Sequence, residues 1–589
     1  MRILLLHPDD SPRHGPWTRY KWDLLVDLGK SSESMAAAWQ KDVGCPVLRL
    51  DQFRQNTEDL ACVEAILRAP RGRLLDSEGL DWWELAALLV HAEIETSLVL
   101  RRVVAELPEN VDVFTSRPDW PVNGVADLLN SDVQNFLGGG VNKAAKRLGR
   151  YGRAFRNLSF SQWADICFDK YDGEYKRRGL FARRPRSANQ PVVLVPSAYT
   201  NVSRMAAAYA RMLPEQQFLF VATRQSARRF EPLPNVRLRG LESYITKGES
   251  QQECAWLLRN WQALLSEIRQ NPDLQLLERL GRLEHFPLFF RRGLVWRDLW
   301  REVLRREPVC SVFCGDDSNP STRIPVLLAK KRGLPTLDFH HGALDGRFLL
   351  KTLPSDLYLA KTEMERDYLL RVCRLPSSKV VLGAPQQEAI SGSPALDWQV
   401  SQIVLFSEPY ESAGGRAGEI YRELLPPLVR LAKQSSMKLV IKLHPFESKT
   451  HRLRLIRTIL NVEQRSVTEV LTGPLSDATL LKTWFGATVE SSTALDCTLR
   501  GVPCFLCGWL VLSSYEYVQQ YSRFGVGSVL HSAEQIPCIP GILAASGKSQ
   551  TRRQAIWQPI EPSQLRRYLA EKGTIVDDRE EQPQASVAT

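Results

Sequence analysis

Short, nearly unbroken apolar runs alternate with longer stretches of helical periodicity along most of the chain. That alternation predicts an α/β protein with parallel sheets. A first unit opens with Arg2 to Leu6 and has short strands near Val47 to Leu50 and Val111 to Phe114. It also carries a long amphipathic helix around Trp82 to Leu107. A second unit starts at "PVVLVPSAYTNVSRMAAAYARMLPEQQFLFVATR", which reads strand (Val192 to Val195), polar loop, helix (Val202 to Leu213) and strand (Phe218 to Ala222). It continues through a helical stretch near 251–307 to "VCSVFCGDD", "LPTLDFHHG", "SDLYLAKT" and "KVVLGAP". A third begins with "IVLFSEPYESAGGRAGE" and runs through "LVIKLHP", "TWFGATVESSTALDCTLRG" and "VPCFLCG".

At 589 residues the chain exceeds what one core can hold, so several domains are expected. The pattern divides it into an N-terminal α/β accessory domain (1–137), a basic linker (138–190) and two α/β units (191–390 and 401–545). A C-terminal helix and polar, disordered tail (546–589) complete the expected division. Two open α/β units in tandem can face one another across their strand ends, with a ligand in the crevice.

The net charge of +11 is uneven. Lys143, Lys146, Arg147, Arg150 and Arg153 form a helical stripe, followed by Lys176, Arg177, Arg178, Arg183, Arg184 and Arg186. The segment Lys143–Arg186 reads either as a solvated linker or as an attachment to an anionic membrane surface or lipid-linked substrate. No nucleic-acid-binding motif accompanies the charge, so nucleic acid is not an expected partner. Neither a signal peptide nor an apolar stretch of membrane-spanning length is evident. The expected location is therefore cytoplasmic, with the inner membrane face as the place of any peripheral contact. Eleven scattered cysteines fit reduced thiols, and Cys504 and Cys507 fall in an apolar strand as buried small residues rather than a metal pair.

Candidate chemistry lies where apolar runs end. His444 and Pro445 close the strand Leu439 to Leu443, at the sheet edge where open α/β folds bind ligands. Some fifty residues on, Glu490, Ser491, Ser492 and Thr493 stand between a strand and a helix ending at Gly501. Three consecutive hydroxyls there either cap the helix or, with its free N–H groups, hold a phosphate. Ser407 and Glu408, then Gly415 and Arg416 in "GGRAG", follow the first strand of the third unit. The glycines allow close backbone approach, and Arg416 is a candidate to neutralise phosphate. In the second unit, Asp316 and Asp317 end one strand and His341 ends the next. A general base needs a carboxylate or imidazole near the acceptor hydroxyl, and Asp317 and His341 both qualify by position. Asp316 and Asp317 also suit a helix N-terminus electrostatically. Asp81-Trp82-Trp83-Glu84 reads as core or as a sugar-stacking platform.

"KLHP" followed by "ESSTALDCTLRGVP" resembles the C-terminal half of GT-B enzymes that use cytidine-activated donors. These are bacterial sialyltransferases, capsule Kdo transferases and CDP-glycerol glycerophosphotransferases. The likeness spans roughly residues 310–510. It implies two Rossmann-like domains facing a cleft, with the additional α/β domain in front. His444, Ser491 and Ser492 then take the donor-phosphate role, and His341, in "FHHG", matches a His-Gly that supplies a base. The paired acids Asp316 and Asp317 resemble the sialyltransferase base motif, with serine where that family has glycine. Where the glycerophosphotransferases have tryptophan before the histidine and Thr-Pro after the glycine, this chain has His340 and Ala343-Leu344.

The expected function is transfer of a sugar or sugar-like group from a nucleotide donor to a hydroxyl of a surface polysaccharide or glycolipid. CMP- or CDP-linked donors are favoured over UDP. The nucleotide sugar is a substrate, so no cofactor is expected, and no Asp-x-Asp pattern is placed for a metal. A nucleotide-sugar epimerase of similar architecture and a non-catalytic scaffold of polysaccharide assembly are the alternatives.

Overall fold

Val192–Ser197 is buried at all six positions, as befits a strand covered on both faces by helices. Runs of this kind form the middles of three sheets. The computed structural model describes residues 1–8, 10–13, 15–116, 120–130, 133–135, 190–245, 251–342, 352–386, 400–413, 415–473, 475–510, 517–545 and 557–571. The basic segment Lys143–Arg186 and the polar tail from 572 lie outside them.

The first sheet contains β1 (Arg2–Leu6), β2 (Leu24–Asp27), β3 (Val47–Arg49), β4 (Asp112–Thr115) and β5 (Val133–Asn135), in the order β3-β2-β1-β4-β5. The second contains β6 (Val192–Ser197), β7 (Gln217–Ala222), β8 (Val236–Gly240), β9 (Val309–Cys314), β10 (Thr336–Phe339), β11 (Leu357–Ala360) and β12 (Val380–Leu382). Its order is β12-β11-β10-β9-β6-β7-β8. The third has β13 (Gln402–Phe406), β14 (Lys438–Lys442), β15 (Thr468–Leu471), β16 (Thr483–Thr488), β17 (Cys504–Cys507) and β18 (Ser528–Leu530), in the order β15-β14-β13-β16-β17-β18. Neighbouring strands are parallel throughout, for example β6 with β7 and β13 with β14. The expected class, α/β with two Rossmann-like domains behind an additional N-terminal one, is the architecture found. Cys504 and Cys507 are both buried on β17.

The N-terminal domain grips both later units. Its helix Trp82–Ala105 is capped by Asp81, whose carboxylate accepts from Trp83 N–H at 3.0 Å. Trp82 and Trp83 are fully buried against Trp261, Phe286, Phe289 and Phe290 of the second unit. Their indole N–H groups donate to Asp76 and to the Leu67 carbonyl. They are therefore core and not a stacking platform. On the other side Met35 and Trp39 join the third unit's core.

Gly293, inside the helix Phe286–Arg306, lets Trp82 approach: a Cβ there would stand 2.2 Å from the indole ring. Alanine is the better helix former by about 1 kcal/mol. Overpacking nevertheless costs about 1–3 kcal/mol. Gly293→Ala should thus lower the melting temperature, as followed by circular dichroism.

The chain also returns on itself. Trp557 bridges Thr362, and Ile560, Leu565 and Leu569 are buried with Val193 and Phe313. The helix Pro562–Ala570, expected as a separate C-terminal element, is structurally part of the second unit.

Candidate functional site

In a doubly wound sheet the first strand's two neighbours are reached by connections running in opposite directions, which leaves a crevice beyond their carboxyl ends. The second sheet has this switch between β6 and β9, and the third between β13 and β16. Most of the sequence candidates follow strands beside these two places; Gly415 and Arg416 do not.

After β9 the chain passes through Gly315, Asp316 and Asp317 into the helix Pro320–Lys331. Asn319 caps that helix, accepting from Ser321 N–H at 3.0 Å, so the aspartates are not its capping residues. Asp316 and Asp317 are both buried. Side-chain donors hold their turn: Thr322 Oγ1 donates to the Asp316 carbonyl at 2.5 Å and Arg323 to the Asp317 carbonyl at 3.4 Å. His341, beyond β10, lies with Nδ1 3.1 Å from the Gly315 carbonyl. A carbonyl only accepts, so Nδ1 carries the proton and Nε2 is the proton-accepting nitrogen. The His340 ring lies beside it, tilted by 43°, with ring centroids 4.6 Å apart. From the β6 side comes Tyr199, whose hydroxyl accepts from Arg224 at 2.8 Å. Burial raises the Tyr199 pKa, Arg224 opposes the rise, and the charge of Asp316 adds to it. Tyr199 and Arg224 are not among the sequence candidates, although Tyr199 lies in the polar loop that follows Val195.

At the third sheet Glu408 spans the crevice from β13 to β16. Its Oε1 accepts from Glu490 N–H at 2.8 Å and from Thr488 Oγ1 at 3.3 Å. Ser491 Oγ accepts from Thr493 N–H at 3.3 Å and from Thr493 Oγ1 at 2.9 Å. Ser491 thus serves the start of the seven-residue helix Thr493–Leu499, while Ser492, at the cap position, makes no capping side-chain bond. The two serines divide the alternatives that sequence left open: one caps, the other's hydroxyl is not spent on capping.

His444 is half-buried, and Pro445 beside it is exposed. Its Nδ1 accepts from Phe446 N–H at 3.2 Å, which leaves the proton on Nε2. Beneath it lies a residue that sequence left unassigned. Glu447 accepts from His444 N–H at 2.7 Å, from Ser407 Oγ at 2.8 Å and from Arg452 Nε at 2.6 Å. Burial raises the Glu447 pKa, and Arg452 works against that rise. Arg452 in turn forks onto Glu411 at 2.7 and 2.8 Å and reaches the Glu408 carbonyl. One buried network therefore joins Ser407, Glu408, Glu447 and the backbone of His444.

Gly415 and Arg416 are not in it. Arg416, expected near donor phosphate, instead turns into the N-terminal domain. Its guanidinium pairs with buried Asp27 and donates to Ser31 Oγ and to the carbonyls of His7, Pro8 and Asp10. It lies 5.0 Å over the Trp39 ring, and Gly415 bridges Lys30. With its donors directed at these oxygens and its side chain only 3% exposed, Arg416 is an interdomain anchor. Lys442 also points away, donating to the Leu443 and Gly473 carbonyls, and burial lowers its pKa.

The two units meet beside these edges. Met364, shortly after β11, is buried among Phe406, Val440, Ala494 and Tyr517, and its carbonyl accepts from Gln520 at 2.9 Å. Among the described residues no group of three or more His, Cys, Asp or Glu is placed to hold a metal ion. Nor is any described helix long and apolar enough to cross a membrane.

No protein-family model matches the chain, and no curated protein matches it in sequence. Among solved structures, UDP-GlcNAc 2-epimerase from Neisseria meningitidis bound to UDP-GlcNAc is 15% identical at a TM-score of 0.41, covering 64% of this chain and 99% of its own. The S. aureus MnaA–UDP co-structure is 13% identical at a TM-score of 0.40, covering 66% and 99%. The spinosyn rhamnosyltransferase SpnG complexed with thymidine diphosphate is 15% identical at 0.38, covering 64% and 99%. Likeness at this level carries no argument about chemistry.

Proposed function

We propose that the protein is a glycosyltransferase that moves a sugar or sugar-like group from a nucleotide-activated donor to a hydroxyl of a polysaccharide or glycolipid. What supports the reading is the pairing of two switch points. Hydrogen-bond donors, the His444 imidazole and the Ser492 hydroxyl, follow strands of the third sheet. Proton-accepting groups, Asp316, Asp317 and His341, follow strands of the second. In the reaction the acceptor oxygen attacks the anomeric carbon, and the carbon–oxygen bond to phosphate breaks with its electron pair. The leaving phosphate gains charge, which His444 Nε2–H and the Ser492 hydroxyl stabilise. The acceptor's proton passes to His341 Nε2, the nitrogen its Gly315 hydrogen bond leaves basic. Asp317, buried in the turn after β9, is the rival base.

A thermal-shift screen over CMP, CDP, UDP and GDP tests the donor, with a cytidine nucleotide expected to stabilise most. His444→Ala and Ser492→Ala should each lower kcat/KM by about 10²–10³, the usual loss for one such donor. Unchanged turnover in His444→Ala would sink the donor assignment. With His341 as base, kcat/KM should fall on the acid side, where the imidazole can no longer accept the acceptor's proton. His341→Gln should abolish that limb, and Asp317→Asn should keep it; the reverse result would make Asp317 the base. Formation of a sugar epimer without release of nucleotide or need for an acceptor would indicate the epimerase alternative.

A further inference from the structure

A second cavity, of about 750 Å³, opens between the N-terminal domain and the second unit, away from the donor crevice. One wall comes from the helices Asn56–Arg68 and Trp82–Ala105, through residues such as Glu64, Arg68 and His91. The other follows the helix Pro320–Lys331 from Arg323 to Lys330, roughly 10 Å at 1.5 Å per residue. The cavity is thus elongated. One end is lined by Ser318, the residue directly after the candidate base Asp317.

Its chemistry is cationic. Six Arg and Lys side chains line it against three acids, and no Phe, Tyr or Trp is among the lining residues. Neutral sugars are commonly held on aromatic faces; this cavity offers guanidinium groups, whose planar forks fit carboxylate and phosphate. Arg323 is built into its wall, only 2% exposed, held by Glu84 and by Thr352 Oγ1 at 2.7 Å. Arg68, Arg71 and Arg374 stand exposed at the rim. Of the five non-glycine residues with left-handed backbone among the described residues, the two that are not asparagine or serine, Leu353 and Arg374, both line this cavity. Strain of that kind persists where surroundings demand it, which is common at ligand clamps.

We infer that this cavity binds an anionic saccharide chain, carrying carboxylates or phosphodiesters, and presents its end to the base at the second unit's switch point. Its role as acceptor site rests on the glycosyltransferase reading; its binding of an anionic oligomer does not. The N-terminal domain thereby supplies half of the acceptor's seat.

The test is calorimetry on the full chain with tetragalacturonate, a glycerol-phosphate tetramer and neutral maltotetraose. At least one anionic oligomer should bind, maltotetraose should not, and Arg71→Glu with Arg374→Glu should weaken the anionic binding at least tenfold. These rim residues are exposed, so the variant should keep its fold, checked by its unchanged nucleotide thermal shift or circular dichroism. No anionic binding, equal binding of maltotetraose, or indifference to the double substitution would overturn the inference. Nucleotide stabilisation measured on the same samples separates the two readings. Nucleotide binding without oligomer binding overturns this inference alone; the converse overturns the donor reading alone.

Discussion

Arg416→Ala should cost about 3–5 kcal/mol of stability, because it strands the Asp27 carboxylate with no countercharge in a fully buried place. The effect should show in urea unfolding, as a lower midpoint or as separate loss of the N-terminal domain. Asp27→Ala should cost a similar amount by stranding the guanidinium. The double variant Asp27→Asn with Arg416→Met removes both charges and should recover much of the loss, since a buried pair replaced by fitting neutral groups is often near neutral. If the single substitutions were silent, the anchor would not hold the domains together. The position explains the size of the effect. Arg416 occupies the carboxyl edge of β1 and β2, where His7, Pro8 and Asp10 offer carbonyls. The first sheet's own ligand edge is filled by an arginine of the third unit.

Arg452→Ala should be as damaging, again by about 3–5 kcal/mol, for a charge removed from a buried network. It leaves Glu447 and Glu411 without their shared partner. Burial already raises the Glu447 pKa and Arg452 restrains it, so the variant's Glu447 should rise further. A carboxyl whose folded pKa lies above its unfolded value of about 4.3 favours the folded state at low pH and loses that advantage as pH rises. The variant's unfolding free energy should therefore decline from about pH 4 up through the raised folded pKa, more steeply than the wild type's. Because the same carboxylate accepts from His444 N–H, nucleotide affinity should fall with it. Full nucleotide affinity in a folded Arg452→Ala protein would separate the network from the donor site.

Central strands were legible because burial on both faces demands continuous apolar runs, as in Val192–Ser197 and Cys504–Cys507. The strands that reading missed were short or half-exposed. Val236–Gly240 alternates with Arg237 and Arg239, and Ser528–Leu530 has three residues. His444 and the Ser491–Thr493 run stand out in the sequence because a strand end and a helix start each leave local signatures. Glu447 carried a weaker signal, an acid three residues after a strand-ending histidine, positioned to accept that residue's backbone N–H.

Arg416 shows where local reading fails. A glycine-bearing loop with an arginine after a strand looks the same whether it faces a phosphate or another domain. Asp27, 389 residues away in sequence, chose for it. The tryptophans at 82 and 83 were likewise undecided until Phe286 and Phe290 closed over them. From residues alone followed the three α/β units and the strand ends that carry the candidate side chains, because periodicity, caps and strand ends are short-range. Which buried charge pairs with which, and that the N-terminal domain reaches both other units, belonged to the tertiary structure, because those choices are made between residues hundreds of positions apart.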